Sequence, residues 1–227
     1  MSLPLLLSVP HAGLEVPSEA AGLCALTPEE IAADGDVGAA AIYDLAAEVR
    51  LHVRSTVARA IVDLNRAEDD FRRDGVIKTH TCWEVPVWRR PPGPELIELL
   101  LERHHRPYHR RIAAPDPGVA LAVDCHTMAA VGPPVGPDPG VERPQVCLSD
   151  ADGTLPRQWL DRLHACFAAA FEGAVTRNRP FSGGHVIRAH AHERPWVQLE
   201  LSRAPFDSDD GKRRRVLGAL RAWCRDL

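Results

Sequence analysis

The chain contains 227 residues, of which 45% are hydrophobic and 26% are charged, and its formal net charge at pH 7 is -4. This length and composition are typical of one globular domain covering residues 1–227, and they exclude a largely disordered chain. The chain lacks the basic excess of nucleic-acid-binding proteins, and its one dense basic run, at residues 212–215, is typical of a solvated helix face. We therefore predict no nucleic-acid partner.

The cysteines and the N terminus bear on the cellular compartment. None of the six cysteines forms a Cys-x-x-Cys pair, and several lie in apolar segments, as free thiols do in a reducing environment. The apolar run at residues 3–9 has no basic segment before it and is too short for a signal peptide or a membrane span. We therefore predict a cytoplasmic protein with no membrane partner.

The first half of the chain alternates strand-like and helix-like patterns. A short apolar run predicts a buried strand at residues 5–9, and a capping box with proline at the first helical position predicts a helix start at Thr27. An alanine-rich stretch predicts a helix over 37–49, and a run of apolar and β-branched residues predicts a strand over 59–65. After a loop rich in proline and tryptophan, apolar spacing predicts a long helix over 95–112.

The second half of the chain continues this alternation. Strands are predicted over residues 119–125, 145–148 and 196–202, and helices over 155–171 and from about residue 212 onward. Glycine and proline are too frequent between residues 131 and 144 for a helix or a strand, so this stretch is predicted to be a loop. Alternating strands and helices predict an α/β domain, with helices packed on a largely parallel or mixed sheet.

Polar residues at the ends of the apolar strands are the most informative, because open α/β sheets place their sites at the carboxyl ends of strands. His11 follows the first strand and can ligate a metal ion, although a lone histidine there is more often an ordinary loop residue. Asp63 and Asn65, two residues apart, would share one face of the strand predicted over 59–65. Arg66 offers a planar guanidinium suited to a carboxylate, and a structural ion pair with Asp63 is an equally good interpretation.

Two later strands carry similar patterns. The apolar strand at 119–125 leads into Asp124 and His126, which share a face, so the carboxylate is placed to support the imidazole. In the strand at 196–202, polar residues including Glu200 alternate with apolar ones. This pattern fits an edge strand with one solvated face, or a buried glutamate that faces a site, where burial would tune its basicity.

Histidines and glycines outside the strands supply further candidates. His105 and His109 lie one helical turn apart without the glutamate of a His-Glu-x-x-His zinc motif. We therefore predict that His109 contacts substrate or supports a ligand, and that His104 lies on the surface. Gly183 and Gly184 allow the backbone to approach a ligand closely. No Gly-x-Ser-x-Gly elbow occurs in the sequence, which disfavours a serine hydrolase.

Taken together and in this order, these segments resemble the N-formylglutamate amidohydrolase family. Each motif is short, but their order and spacing across residues 10–203 make the resemblance fairly specific. The matching motifs are Pro10-His11-Ala12-Gly13, Asp36 ahead of Ile42-Tyr43, Asp63-Leu64-Asn65-Arg66, Pro107-Tyr108-His109, Asp124-Cys125-His126-Thr127, Pro180-Phe181-Ser182-Gly183-Gly184 and Gln198-Leu199-Glu200-Leu201-Ser202-Arg203.

This family is similar in turn to the zinc carboxypeptidase and aspartoacylase group. The resemblance implies a three-layer α/β/α fold with a central mixed, largely parallel sheet and one divalent metal ion. In those relatives a histidine and a glutamate three residues later both bind the metal, whereas Leu14 stands at that position here. The second ligand is therefore predicted to be Asp36, with Glu15 as the alternative.

The resemblance also implies a role for each candidate residue. His11, Asp36 and His126 would bind one zinc ion, with cobalt, manganese or nickel as alternatives. Glu200 would act as the general base and then as the general acid. A substrate carboxylate would be held by Asn65, Arg66 and Arg203. Further contacts to the substrate would come from His109, Gly183 and Gly184. Asp63 would orient Arg66, and Asp124 would orient His126.

The reaction implied is the metal-dependent hydrolysis of the amide bond of an N-acyl amino acid. The expected substrate is a small molecule with a carboxylate, N-formyl-L-glutamate, and the products are L-glutamate and formate, as in histidine degradation. The nearest alternative is a deacylase or carboxypeptidase for another acyl amino acid or a small peptide. An alternative of another class is a non-catalytic binding protein, which the missing His-x-x-Glu pair motivates.

Overall fold

The computed structural model describes residues 2–225 and residue 227. The strands in this part of the chain are β1 (Leu3–Val9), β2 (Val49–Arg54), β3 (Leu121–Met128), β4 (Val146–Ser149), β5 (Val175–Arg177) and β6 (Trp196–Ser202). The helices are α1 (Ser18–Ala21), α2 (Pro28–Asp34), α3 (Ala39–Ile42), α4 (Pro94–Leu100), α5 (Arg106–Ala113), α6 (Arg157–Ala170), α7 (His185–His190) and α8 (Asp209–Cys224). A π-helical turn, Leu101–His105, joins α4 to α5.

The strands form one mixed, largely parallel sheet in the order β2-β1-β3-β6-β4-β5. The strands β2, β1, β3 and β6 run parallel, whereas β4 runs antiparallel to β6 and pairs in parallel with β5. Ser8 of β1 pairs in register with Asp124 of β3, and His126 of β3 pairs with Glu200 of β6. The predicted sheet is confirmed, and its parallel centre brings the polar ends of three strands to one edge.

Helices cover both faces of the sheet, because alternate residues of a buried strand point to opposite sides. Leu5 and Leu7 of β1 belong to a hydrophobic cluster with residues of α3, α6 and α8. Leu6 belongs to a second cluster with residues of α4, α5 and α7. These three leucines are fully buried. The predicted three-layer α/β/α fold is therefore confirmed.

The helix predictions hold where capping or long periodicity specified them. The Thr27 hydroxyl accepts a hydrogen bond from the Glu30 amide at 3.3 Å, and the Glu30 carboxylate accepts one from the Thr27 amide at 2.8 Å, which is the predicted capping box. The long helix predicted over 95–112 is present as α4, the π-helical turn and α5. Among the described residues, no helix is long and apolar enough to cross a membrane.

Two predictions in the first third of the chain are wrong. The stretch 37–49 contains only the single-turn helix α3 and ends at the first residue of β2, because pairing with β1 overrides the helix propensity of its alanines. Residues 59–65 form turns rather than a strand. The strand beside β1 at this edge of the sheet is β2. It carries polar residues, including Arg50 and His52, and so lacks the apolar run by which a buried strand is recognised.

The segment after β1, which carries His11, is fixed by direct contact with the backbone that follows β2. Gly13 forms a parallel bridge with Ala58, and the Glu15 amide donates to the Thr56 carbonyl at 2.9 Å. A Cβ atom on Gly13 would overlap the backbone of Thr56. Glycine is therefore required at this position by the close approach of two backbone segments.

Replacing Gly13 by alanine is expected to lower the free energy of unfolding by about 2 kcal/mol or more, because the added methyl group overpacks two adjacent backbones. Urea unfolding followed by circular dichroism measures this loss. Gly22→Ala is the matched control, since a Cβ on Gly22 meets no atom within 4 Å, and its midpoint should stay near that of the wild type. Equal stability of the two variants would contradict the close contact at Gly13.

Candidate active site

The carboxyl ends of β1, β3 and β6 border a cavity of about 700 Å³. Parallel strands end at the same edge of a sheet, so residues that are far apart in the sequence face one space. All of the predicted site residues line this cavity except Asp63, Asp124 and His109. The fold therefore brings most of the candidates together at one place.

Three buried residues of the cavity form a cluster of possible metal ligands. One atom from each of His11, Asp36 and His126 lies within 4.8 Å of the other two. Oδ2 of Asp36 is 3.0 Å from Nδ1 of His126 and 3.7 Å from Nδ1 of His11, and it accepts a hydrogen bond from the Thr127 amide at 3.1 Å. Glu15, the alternative ligand, is exposed and lies outside this cluster.

The second nitrogen of each imidazole is held by a buried carboxylate. Nε2 of His11 donates to Asp63 at 2.8 Å, and Nε2 of His126 donates to Asp124 at 2.8 Å. In the neutral rings this leaves each Nδ1 as a lone pair near Asp36. Nδ1 of His11 is buried without a hydrogen-bond partner. Such a nitrogen beside a carboxylate fits a divalent metal ion, which His11, Asp36 and His126 would hold.

Burial and neighbouring charges shift the pKa values of this cluster. Burial by itself would raise the pKa of Asp36 and of Asp63, but the His11 imidazole holds both well below their usual range. Burial would lower the pKa of His126, but the carboxylates of Asp124 and Asp36 raise it well above its usual range. Ionised carboxylates around a positive charge are the pattern that a bound cation requires.

Asp124 is oriented by a chain of hydrogen bonds that reaches helix α5. The Ser8 hydroxyl donates to Asp124 at 2.6 Å and accepts from the Tyr108 hydroxyl at 2.8 Å. The four side chains joined by these hydrogen bonds, Tyr108, Ser8, Asp124 and His126, are all buried. Tyr108, from the Pro-Tyr-His motif, therefore supports His126 without lining the cavity.

Glu200 lines the cavity beside His126, its register partner on the neighbouring strand. Its Oε1 accepts a hydrogen bond from Nε2 of Gln198 at 2.8 Å, and Oε1 of Gln198 accepts one from the Gly184 amide at 2.6 Å. Burial raises the pKa of Glu200 above its usual range, although His126 opposes this shift. A raised pKa suits a carboxyl group that accepts and donates protons near neutral pH. Gln198 was not identified from the sequence, because an amide in an alternating strand fits a solvated face equally well.

Of the two predicted glycines, Gly184 packs against Asn65, and Gly183 packs against Ile187 and Ala151. Gly183 has a φ of 113°, and a Cβ atom on Gly184 would overlap the Asn65 amide group. Oδ1 of Asn65 accepts a hydrogen bond from the Val186 amide at 2.8 Å, and its Nδ2 lies 3.3 Å from Nε2 of His126. The backbone of Gly184 thus closely approaches the Asn65 side chain. Contact between these glycines and a substrate stays a prediction.

Arg66 and Arg203 line the cavity but make internal contacts. Arg66 donates to the carbonyl and the carboxylate of Asp74, at 2.8 and 3.3 Å, and the predicted contact with Asp63 is not formed. The reason is that the chain turns between these residues instead of continuing as a strand. Arg203 donates to the Gly35 carbonyl at 2.6 Å, and so holds the segment that carries Asp36.

Arg59 is a further cation of the cavity, and it was not identified from the sequence. Its Nε donates to Asp63 at 3.0 Å, and its Nη1 lies 3.9 Å from Asp36. Within the described part of the chain, its terminal nitrogens make no hydrogen bond, and 23% of the side chain is exposed. A guanidinium anchored at one nitrogen is well placed to bind a ligand oxygen with the others. Arg59 lies four residues before Asp63 in the sequence, but the strand predicted over 59–65 does not form, so the sequence did not indicate that Arg59 lies beside Asp63.

A buried ion pair, formed by Lys78 and Asp34, also borders the cavity. Nζ of Lys78 is 2.9 Å from Asp34 and 3.8 Å from Asp63, and Lys78 is only 2% exposed. The Cys82 amide also donates to Asp34, at 2.9 Å. Burial would raise the pKa of Asp34, but the charges of Lys78 and Arg59 hold it below its usual range. Lys78 thus balances the negative charge of two buried carboxylates.

His109 does not line the cavity, so the structure places it apart from the other residues predicted to contact substrate. Its Nε2 lies 3.0 Å from the Leu64 carbonyl, and its Nδ1 lies 2.8 Å from His190. Both ring nitrogens are therefore occupied inside the protein. The ring instead supports the backbone beside Asn65.

The architecture and the cavity residues together indicate an enzyme that catalyses hydrolysis. A three-layer α/β/α domain carries a buried cluster of two histidines and a carboxylate that could hold one metal ion, with a buried glutamate beside it, and such a set of groups suits a hydrolase. The family model of N-formylglutamate amidohydrolase matches residues 3–206. The chain belongs to this family.

The chain is also similar to individual proteins, one in sequence and two in fold. The N-formylglutamate deformylase of Pseudomonas putida is 27% identical over 226 residues, covering 90% of this chain and 82% of the relative. The crystal structure of an N-formylglutamate amidohydrolase from Ralstonia eutropha JMP134 superposes with a TM-score of 0.79 at 20% identity, covering 99% of this chain and 93% of that one. A gene product of Agrobacterium tumefaciens gives a TM-score of 0.71 at 18% identity, with 99% and 88% covered.

Lys78→Met is expected to lower the free energy of unfolding by about 3 kcal/mol or more at neutral pH, since it leaves Asp34 buried without its counter-ion. The loss should shrink below about pH 4, where protonation removes the carboxylate charge. Urea unfolding at both pH values measures it. Adding Asp34→Asn should recover part of the stability, and a double variant as unstable as Lys78→Met would argue against the ion pair.

Proposed function

We propose that this protein hydrolyses the amide bond of N-formyl-L-glutamate, giving formate and L-glutamate, with one divalent metal ion bound. The observation that carries the proposal is the cluster of His11, Asp36 and His126, in which Nδ1 of His11 has no hydrogen-bond partner. Family membership and the named activity of the Pseudomonas putida relative support the same reaction and substrate. Histidine degradation in the cytoplasm is the setting proposed for this activity.

Zinc is the ion proposed for the cluster, with cobalt, manganese and nickel as alternatives. Two imidazoles and one carboxylate are a ligand set of catalytic zinc sites, which keep a further position open. When bound, the ion would polarise the amide carbonyl and lower the pKa of the attacking water. Asp63 and Asp124 would raise the basicity of the imidazoles that they hold.

Glu200 is proposed as the general base and then the general acid. Gln198 occupies one of its carboxylate oxygens, which leaves the other to accept a proton from water in the cavity. Glu200 then delivers this proton to the amide nitrogen as the C–N bond breaks, so that formate and L-glutamate can leave.

The cations of the cavity suit a substrate with two carboxylates. Arg59, Arg66 and Arg203 all line it, together with the Asn65 amide. Arg59 is proposed to contact a substrate oxygen directly, because its terminal nitrogens make no hydrogen bond within the described residues. Arg66 and Arg203, which are already bonded inside the protein, add positive potential that attracts an anionic substrate.

Another N-acyl amino acid would use the same cluster and the same cations. A panel of N-formyl, N-acetyl and dipeptide substrates therefore separates the proposed reaction from that of a related deacylase or carboxypeptidase. The non-catalytic alternative rested on the missing His-x-x-Glu pair. Asp36 supplies a carboxylate to the cluster in place of that glutamate, which removes the motive for this alternative.

Metal analysis is the first test of the proposal. About one zinc, cobalt, manganese or nickel ion per chain is expected in the purified wild type, and His126→Ala should lose it together with the activity. His192→Ala is the matched control, because His192 is an exposed histidine outside the cluster, and it should keep the metal. A wild type that binds no metal after dialysis against these ions would contradict the proposal.

Glu200→Gln tests the general base separately from the metal. The variant is expected to keep its metal, because Glu200 is not in the ligand cluster, and to lose about 10²–10⁴-fold in kcat on N-formyl-L-glutamate. Glu95→Gln, at an exposed position on α4, is the control and should keep full turnover. Wild-type kcat in Glu200→Gln would rule out this role for Glu200.

A further inference from the structure

A histidine cluster lies outside the candidate active site and lines a second cavity of about 580 Å³. His105 comes from the π-helical turn, His109 from α5, and His185 and His190 from α7. The ring centroid of His109 lies 4.3, 5.6 and 5.1 Å from those of His105, His185 and His190. Among the described residues, these four histidines are not part of a group of three side chains that could hold a metal ion. Their role is therefore sought in their hydrogen bonds.

Two of these histidines hold the backbone on either side of Asn65. Nε2 of His109 lies 3.0 Å from the Leu64 carbonyl, and Nε2 of His105 lies 2.9 Å from the Arg66 carbonyl. A carbonyl oxygen only accepts hydrogen bonds, so each Nε2 must carry a proton. The peptide group between Leu64 and Asn65 and the peptide group after Arg66 are thus held by two donors from one helical segment.

The protons of His109 and His190 can be counted. Nδ1 of His109 lies 2.8 Å from Nε2 of His190, and Nδ1 of His190 lies 2.9 Å from the Glu193 carboxylate. The chain ends in acceptors on both sides, the Leu64 carbonyl and this carboxylate, so its hydrogen bonds require three protons on the two rings. Two neutral imidazoles carry only two. One ring is therefore positively charged and is balanced by Glu193.

The additional proton belongs on His190, next to the carboxylate. Burial, together with the neighbouring His105 and His190, lowers the pKa of His109 to about 3. His109 is therefore neutral, with its proton on Nε2 and with Nδ1 accepting from His190. The other charged or titratable groups around these rings are His185, Glu68, Asp69, Arg106 and Arg110, and His192 lies beside Glu193.

Asn65 is the residue of the site whose position depends on these contacts. Its backbone amide donates to Asp63 at 2.9 Å, its Oδ1 accepts from the Val186 amide at 2.8 Å, and its Nδ2 lies 3.3 Å from His126. A rotation of the peptide group at Leu64 would move the Asn65 side chain relative to His126 and to the cavity.

We infer that His109 is a positioning residue for substrate binding: it fixes the Leu64 carbonyl, and with it Asn65, from outside the cavity. His190 and Glu193 hold His109 in the tautomer that donates from Nε2. The inference rests on the proposed function for its kinetic consequence alone, because the tautomer of His109 is a property of the free protein.

Nitrogen-15 NMR of histidine-labelled wild-type protein at pH 7 tests the proton positions without substrate. The expected spectrum shows His109 neutral with its proton on Nε2, and His190 protonated on both nitrogens. Spectra of His109→Gln and His190→Gln assign the two sets of signals by their loss. A proton on Nδ1 of His109, or two neutral rings, would overturn the inference even if the protein proves inactive.

Kinetics on N-formyl-L-glutamate test the positioning role. His109→Leu removes the donor and should raise KM about tenfold or more, with bound metal unchanged, whereas His109→Gln keeps an N–H donor and should stay within about threefold of the wild type. His104→Leu is the matched control on the same helical segment, because His104 contacts Glu19 instead. Equal KM values in the two His109 variants would overturn the inference, whereas an inactive wild type would contradict only the proposed function.

Discussion

The site is organised around buried carboxylates that accept hydrogen bonds from imidazoles. A carboxylate in the protein interior is tolerated only when it is paired, so Asp63 and Asp124 need partners on several sides. Asp63 accepts hydrogen bonds from His11, Arg59 and the Asn65 backbone amide. Asp124 accepts hydrogen bonds from His126 and Ser8. Each contact also fixes the orientation of a ring, which decides the nitrogen that is left for a metal ion. Stability and the proposed chemistry therefore share the same hydrogen bonds.

Helix α5 supports this arrangement from one side of the sheet by two routes. Tyr108 acts on His126 through Ser8 and Asp124, and the next residue, His109, acts on the Leu64 carbonyl. Neither side chain lines the cavity, so neither needs to touch a substrate to matter for the site. In this fold, the tyrosine and the histidine of the Pro-Tyr-His motif thus lie outside the cavity and hold residues that border it.

Most of the predicted site residues lie around one cavity, although part of the secondary structure predicted around them does not form. Asp63 and Asn65 lie at the site although the strand predicted to carry them does not form, because the motif pattern depends on the side chains and not on the element. Arg59, Lys78 and Gln198 were not identified. Each is an ordinary charged or polar residue in sequence, and only its burial beside a particular carboxylate or amide distinguishes it.

The α/β class, the capping box, most of the strands and the polar residues at the strand ends can be read from the sequence alone, because apolar periodicity and local hydrogen bonding are encoded over short stretches. Three features emerge only from the tertiary packing: Asp36 rather than Glu15 lies beside the two histidines, β2 is an edge strand next to β1, and His109 lies outside the cavity. These outcomes depend on which distant segments pack together. Such packing overrides local propensity and sets the partners that each buried charge receives.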